Sequence, residues 1–90
     1  MCIKIEKLSK SEFKQKGICD WPIWEKEAST FEWTYDEKEQ FYLLEGKIRI
    51  RTKESEYEVQ AGDFVTCPKG LDCEWDVEEY VKKHYHFIES

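Results

Sequence analysis

Apolar and polar side chains alternate with a period of two along most of the chain after Trp21. Ring and polar residues alternate through 31–35, and isoleucine alternates with lysine and arginine through 47–52. Residues 40–44 instead present apolar side chains on both faces. The alternating runs predict half-buried strands, and the continuous run predicts a strand that is covered on both faces.

Glycine and proline separate these runs at short intervals. Further strands are predicted at residues 2–6, 21–25, 56–60, 64–67, 71–77 and 81–88. One short helix is predicted over 12–16, with Ser9 or Ser11 as its cap and Gly17 as its stop. Many short strands with regular turn signals indicate an all-β sandwich or barrel.

Composition narrows the classes of partner. The 90 residues predict one domain spanning 1–90, and an aromatic content of 16% supplies large side chains for a small core. Fourteen Lys and Arg against 20 Asp and Glu give a net charge of −6. Because nucleic acids and anionic membranes require a basic surface, neither is expected as a partner.

The start of the chain has no apolar stretch of the kind that precedes a signal cleavage site. We therefore expect a cytoplasmic protein. Its four cysteines, Cys2, Cys19, Cys67 and Cys73, form no CxxC pair and are expected to be reduced thiols.

Two spacings constrain the chain further. Glu39 is followed after six residues by Gly46. Gly62 is followed after five residues by Pro68, and then after one residue by Gly70. Glycine and proline at these places suit chain reversals at the ends of buried strands.

These spacings resemble the two motifs of the cupin superfamily, G-x5-H-x-H-x3,4-E-x6-G and G-x5-P-x-G-x2-H-x3-N. The glutamate, the closing glycine of the first motif, and the Gly, Pro and Gly of the second all match. The three histidines and the asparagine do not match, because their positions hold Trp33, Tyr35, Cys73 and Val77.

The chain looks most like the small single-domain cupins grouped with ureidoglycine aminohydrolase and the ethanolamine-utilisation Q-type proteins. That resemblance implies a double-stranded β-helix, or jelly-roll barrel, with one short N-terminal helix, assembled as a homodimer. It also implies that the motif residues point into the barrel. The pocket would then be lined by Trp33, Tyr35, Glu39, Cys73, Trp75 and Tyr85.

Metal chemistry is disfavoured at this pocket. Indole does not ligate metals and neutral tyrosine does so poorly, so Glu39 and Cys73 are the only ligands left. No tightly held metal and no other cofactor is therefore expected.

Two hypotheses stay open for the role of each pocket residue. Glu39 is a general acid or base, or a structural carboxyl that is hydrogen-bonded to Tyr35 or to a backbone amide. Cys73 is a nucleophile, or a small buried apolar group without a base to activate it. The aromatic rings either stack on a planar ligand or fill the barrel.

His84 and His86 have the spacing that cupins use for metal ligands, but they lie on the last predicted strand, outside both motifs. Alternation puts Tyr85, Phe87 and Lys83 on the opposite face of that strand. If those residues face the core, the histidines face solvent.

Three functions remain open at this point. The first is binding of a small polar or planar molecule in the barrel without a tightly held metal. The second is metal-independent hydrolase, lyase or isomerase chemistry with Glu39 as acid or base. The third is a structural or partner-binding module whose barrel is filled by its own side chains.

Overall fold

The computed structural model of the protein describes residues 2–88, so Met1, Glu89 and Ser90 of the predicted 1–90 domain lie outside the described residues. Its strands are β1 (Lys4–Lys7), β2 (Ile23–Lys26), β3 (Ser29–Thr34), β4 (Lys38–Glu45), β5 (Lys47–Arg51), β6 (Glu56–Gln60), β7 (Asp63–Cys67), β8 (Asp72–Val77) and β9 (Val81–Ile88). A helix α1 (Lys10–Gln15) and a 3-10 turn (Ile18–Asp20) connect β1 to β2.

The strands form two antiparallel sheets. The first has the order β1-β7-β4-β9-β2, and the second has the order β3-β8-β5-β6. Sequence neighbours such as β3 and β4 lie in different sheets, which is the crossing pattern of a jelly roll. The predicted all-β jelly roll with one short N-terminal helix is confirmed.

The core lies between the two sheets. Strand β5 follows the predicted alternation, and β4 places apolar side chains on both faces. Their inward side chains Phe41, Leu43, Ile48 and Ile50 are fully buried. Gly46 separates these two strands at a positive φ of 95°, where a Cβ atom would overlap the carbonyl of Tyr80. The motif glycine is therefore required by the close approach of two turns.

The N-terminal segment, residues 9–22, covers the outer face of the first sheet. Ser9, one of the two predicted caps, is the N-cap of α1 and forms a capping box with Glu12. The Phe13 ring packs edge-on against Tyr42 of β4, at 4.8 Å between ring centroids. This cover explains why the run 40–44 is apolar on both faces.

The same cover corrects the expectation for the histidines. They do lie opposite Lys83 and Tyr85 on β9, but they do not face solvent. His84 is buried, with its Nδ1 2.9 Å from the Trp21 carbonyl oxygen, and the His86 ring stacks on Trp21 at 3.8 Å. The prediction failed because period two identifies a face of a strand and does not show what packs on it.

No helix among residues 2–88 is both long enough and apolar enough to cross a membrane.

Candidate functional site

A cavity of about 230 Å³ lies between the two sheets. Its walls are mainly aromatic, and its lining residues are Trp24, Phe31, Trp33, Tyr35, Glu39, Trp75, Lys83, Tyr85 and Phe87. Two of them, Trp33 and Phe87, are 47% and 44% exposed. The cavity therefore reaches the protein surface.

Strand pairing explains how these side chains meet. On the second sheet, Phe31 of β3 lies opposite Trp75 of β8, and their rings stack at 5.9 Å. On the first sheet, Trp24 of β2 lies opposite Lys83 of β9. Because alternate residues share a face, β9 also contributes Tyr85 and Phe87 to the cavity.

The turn of the second motif positions Tyr35, which lies just beyond β3. The Gly70 N–H donates to the Tyr35 carbonyl at 2.8 Å, and the Tyr35 N–H donates to the Leu71 carbonyl at 3.0 Å. Gly70 has a positive φ of 86°, a conformation that glycine tolerates best. The Pro68–Gly70 turn, which leads into the neighbouring strand β8, thus fixes the Tyr35 backbone from which the phenol projects.

Three polar side chains of the cavity form what we term the polar cluster: Tyr35, Glu39 and Lys83. The Tyr35 hydroxyl donates to Glu39 Oε1 at 2.6 Å, and Lys83 Nζ donates to Glu39 Oε2 at 2.8 Å. Glu39 and Lys83 are only 3% and 5% exposed. Each carboxylate oxygen therefore has one strong donor, as a buried carboxylate needs.

Aromatic rings surround the Lys83 ammonium. Its Nζ lies 4.3 Å from the ring centre of Phe41, 4.5 Å from Trp75, 4.9 Å from Trp24 and 5.7 Å from Tyr85. All four distances are within the range of cation–π attraction. Burial nevertheless lowers the pKa of Lys83, and the Glu39 carboxylate acts in the opposite direction.

The Tyr35 phenol stays protonated. Burial raises its pKa above the usual value, and the negative charge of Glu39 raises it further. A protonated phenol keeps its hydrogen-bond donor directed at Glu39, which fixes the carboxylate in the cavity wall.

The residues at the metal position of the cupin superfamily do not fit a metal ion. Trp33 offers no ligand atom, and both oxygens of Glu39 already accept hydrogen bonds. The Lys83 ammonium also supplies a positive charge beside this carboxylate. Within residues 2–88, no three His, Cys, Asp or Glu side chains come together as metal ligands would.

The buried cysteines lack thiolate character. Burial raises the pKa of Cys73 to about 11 and that of Cys67 to about 12. The Cys73 Sγ lies 3.5 Å from the Trp33 carbonyl oxygen, and Cys73 is not among the residues that line the cavity. A thiol in this state is a poor nucleophile.

Five of the six residues expected in the pocket line the cavity, namely Trp33, Tyr35, Glu39, Trp75 and Tyr85. The sixth, Cys73, does not line the cavity. Sequence reasoning missed four lining residues: Trp24, Phe31, Phe87 and, most importantly, Lys83. Alternation had placed Lys83 on the face of Tyr85, but a lysine is ordinarily exposed and nothing in the motifs marks its position.

Comparison with known proteins identifies the family. Residues 13–85 match the model of the EutQ-like cupin domain. A DUF861 family protein from Thermotoga maritima is 46% identical over 97% of this chain and all of its own chain, with a TM-score of 0.94.

Two more distant structures share the fold. A putative ethanolamine utilization protein Q from Salmonella typhimurium is 23% identical, with a TM-score of 0.67 over 97% of this chain and 69% of its own. The EutQ protein of Clostridium difficile is 19% identical, with a TM-score of 0.68 over 94% and 66%. No curated protein sequence matches the chain. The expected cupin branch is confirmed: the chain belongs to the EutQ-like cupin domain family.

Proposed function

We propose that this cupin binds a small molecule with a flat apolar part and one polar group, without a tightly held metal. The observation that supports this most directly is an open, aromatic-walled cavity with a hydrogen-bonded ion pair in its wall. Ligand sites commonly combine apolar walls with a few polar groups that fix orientation.

The two parts of the cavity would recognise different parts of the ligand. Phe31, Trp33 and Trp75 offer ring faces, on which a planar group stacks favourably. Glu39 and Lys83 offer one acceptor and one donor whose charges cancel. A ligand with a net charge would meet one like charge in a medium of low dielectric constant, so an uncharged polar group is preferred.

A second candidate is metal-independent hydrolase, lyase or isomerase chemistry with Glu39 as acid or base. The hydrogen bonds from Tyr35 and Lys83 to the same carboxylate favour it, because they form a short path for protons. Cys73 is not proposed as a nucleophile, because its thiol is buried and protonated. The open cavity also argues against a barrel filled by its own side chains.

The test is a ligand screen on the intact chain. Uncharged planar compounds such as benzyl alcohol and benzamide are expected to raise the thermal unfolding midpoint and to change tryptophan fluorescence. Trp33→Ala should weaken both responses, whereas Trp21→Ala, which removes an indole on the outer face, should leave the binding response intact. Equal weakening by both variants would count against the cavity as the site.

Elemental analysis addresses the metal. After incubation with manganese, iron, nickel or zinc and removal of excess ion, the proposal expects far less than one equivalent per chain. One equivalent that disappears in Glu39→Ala would overturn it.

We further propose that the chain acts as a single cupin domain and a homodimer in the cytoplasm. Its small core supports the dimer, because short chains bury a low fraction of their surface on folding. Light scattering after size-exclusion chromatography should give twice the chain mass of 10.9 kDa.

A further inference from the structure

Lys83 is an unusual lysine for this chain. Of the lysines in residues 2–88, it alone is buried, and it lines the cavity. A molecule that enters the cavity can therefore contact this amine, which is largely shielded from bulk water. A lysine placed in this way serves as a nucleophile in enzymes that act on carbonyl compounds.

We propose that Lys83 forms an imine with a small aldehyde or ketone that carries a flat apolar group and binds in the aromatic cavity. This inference rests on the proposed function, because the carbonyl compound must first occupy that cavity. It adds a chemical class of ligand and a covalent step that binding alone does not require.

The first requirement is a free amine. The hydrogen bond of 2.8 Å from Lys83 Nζ to Glu39 Oε2 provides an acceptor for the proton. Burial lowers the pKa of Lys83, so its ammonium gives up a proton more readily than that of an exposed lysine. Proton transfer to Glu39 therefore yields an amine with its lone pair available.

The covalent step balances with groups already in the cavity. The amine lone pair attacks the carbonyl carbon, a C–N bond forms, and the carbonyl oxygen takes the proton from Glu39. Glu39 then accepts a second proton from the nitrogen and delivers it to the hydroxyl, which leaves as water. The nitrogen lone pair closes the C=N bond, which gives an iminium that keeps one proton and one positive charge.

The charge balance of the cavity does not change in this reaction. Before it, a Lys83 ammonium faces the Glu39 carboxylate and several aromatic rings. After it, an iminium at the same nitrogen faces the same groups. No buried carboxylate is left without a counter-ion, which would otherwise oppose the reaction.

Tyr35 has a positioning role in this scheme. Its hydroxyl holds Glu39 Oε1 at 2.6 Å and leaves Oε2 directed at Lys83. Tyr35→Phe should slow the trapping described below and change its pH dependence, without moving the adduct to another lysine. A purely structural role of Tyr35 would leave the pH dependence of trapping at Lys83 unchanged.

The experiment traps the imine. Intact protein is incubated with benzaldehyde and sodium cyanoborohydride, and the mass is followed until one benzyl group has been added. Proteolysis and fragment spectra then assign the modified residue, and they separate Lys83 from the adjacent Lys82. Lys83 is expected to react at least about tenfold faster than any other lysine, because its amine lines the cavity and burial lowers its pKa.

Two variants of equal charge sharpen the assignment. Lys83→Arg keeps the positive charge but cannot form an imine, so the fast addition should disappear. Lys82→Arg changes the neighbouring, partly exposed lysine on the other face and should react like the unmodified protein. Circular dichroism tests whether each variant is folded. If Lys83→Arg does not fold, the fragment spectra of the unmodified protein still identify the lysine that reacts.

Benzyl alcohol separates the two proposals, because it has the same ring without an electrophilic carbon. If benzyl alcohol binds but benzaldehyde adds only slowly and to exposed lysines, the imine is refuted and the binding site stands. If neither compound binds and no fast adduct forms, both proposals fail. A fast adduct on Lys83 supports both.

Discussion

The two faces of β9 hold similar residue types in different environments. On the inner face, the Lys83 ammonium is paired with the Glu39 carboxylate and borders an open cavity. On the outer face, His86 stacks on Trp21, and its Nε2 lies 3.0 Å from the Gln40 side-chain oxygen. The inner cation has a charged partner and room for a ligand, whereas the outer ring has neutral partners and is covered by the protein itself.

This difference separates a site from a structural contact. A charged pair beside a cavity costs desolvation energy that packing alone does not require. The imidazoles of His84 and His86 contact Trp21 and hold the segment that contains it in place. His84 and His86, which have the spacing of metal ligands, therefore pack against the N-terminal segment and hold it on the sheet. Lys83, which lies outside both motifs, lines the candidate site.

The largest effect is expected from breaking the inner ion pair. Lys83→Met leaves Glu39 as a buried carboxylate without a cation, so the free energy of unfolding should fall by about 3–5 kcal/mol. Combining it with Glu39→Gln removes both charges and should recover most of that loss. Urea unfolding followed by tryptophan fluorescence measures all three proteins.

Lys82→Met is the matched control, because Lys82 is adjacent on the same strand and partly exposed. It should change the free energy of unfolding by less than about 0.5 kcal/mol. Equal losses from Lys82→Met and Lys83→Met would show that the loss in Lys83→Met does not come from an unpaired buried carboxylate.

A smaller difference in the free energy of unfolding is expected between two tryptophan variants. Trp21→Ala removes the stack on His86 and a contact with Phe64, so it should lower the free energy of unfolding by about 2 kcal/mol. Trp33→Ala removes a half-exposed ring at the cavity mouth and should cost less than about 1 kcal/mol while weakening benzyl alcohol binding. Chemical unfolding and fluorescence titration of both variants test the comparison, which a reversed order would contradict.

The stability that His86 contributes on the outer face should also depend on pH. Burial lowers the pKa of His86, so the unfolded chain takes up its proton first as the pH falls through about 6.5. The His86 contribution to stability is therefore complete above that pH and is lost as the pH falls towards the lower pKa of the folded state.

Urea midpoints at pH 7.5 and 5.5 measure this loss. His86→Phe keeps a ring to stack on Trp21 but cannot titrate, so its midpoint should fall less between the two pH values than that of the unmodified protein. An equal fall in both proteins would remove His86 as the cause.

The last comparison concerns the reactivity of the four thiols. Cys2 and Cys19 are exposed, whereas Cys67 and Cys73 are buried, and burial raises the pKa of the latter two to about 12 and about 11. Reaction with a disulfide reagent at pH 8 should therefore titrate two thiols in the folded chain and four after unfolding. Rapid reaction of Cys73 in the folded state would reopen its role as a nucleophile.

The sequence was most informative where a local rule applies. A serine cap for the short helix, the strand at 56–60 and the strand at 81–88 were predictable, because each depends on neighbours along the chain. Glu39 and Tyr35 were predictable as cavity residues through the spacing of the motifs. Their hydrogen bond was one of the two readings left open for Glu39.

Local patterns did not reveal what packs on each face. The cover over His84 and His86 comes from residues 9–22, some sixty positions earlier in the chain. The role of Lys83 depends on Glu39, which is 44 residues away, and on four rings from four different strands.

By itself, the sequence determined the alternation of the strands, their turns and the family to which the chain belongs, because side-chain direction along a strand is a local property with period two. Only the tertiary structure decided that the Lys83 ammonium lies beside Glu39. The reason is physical: a buried charge is stable only where distant groups desolvate it, pair with it and surround it together, and those groups meet only when the two sheets close.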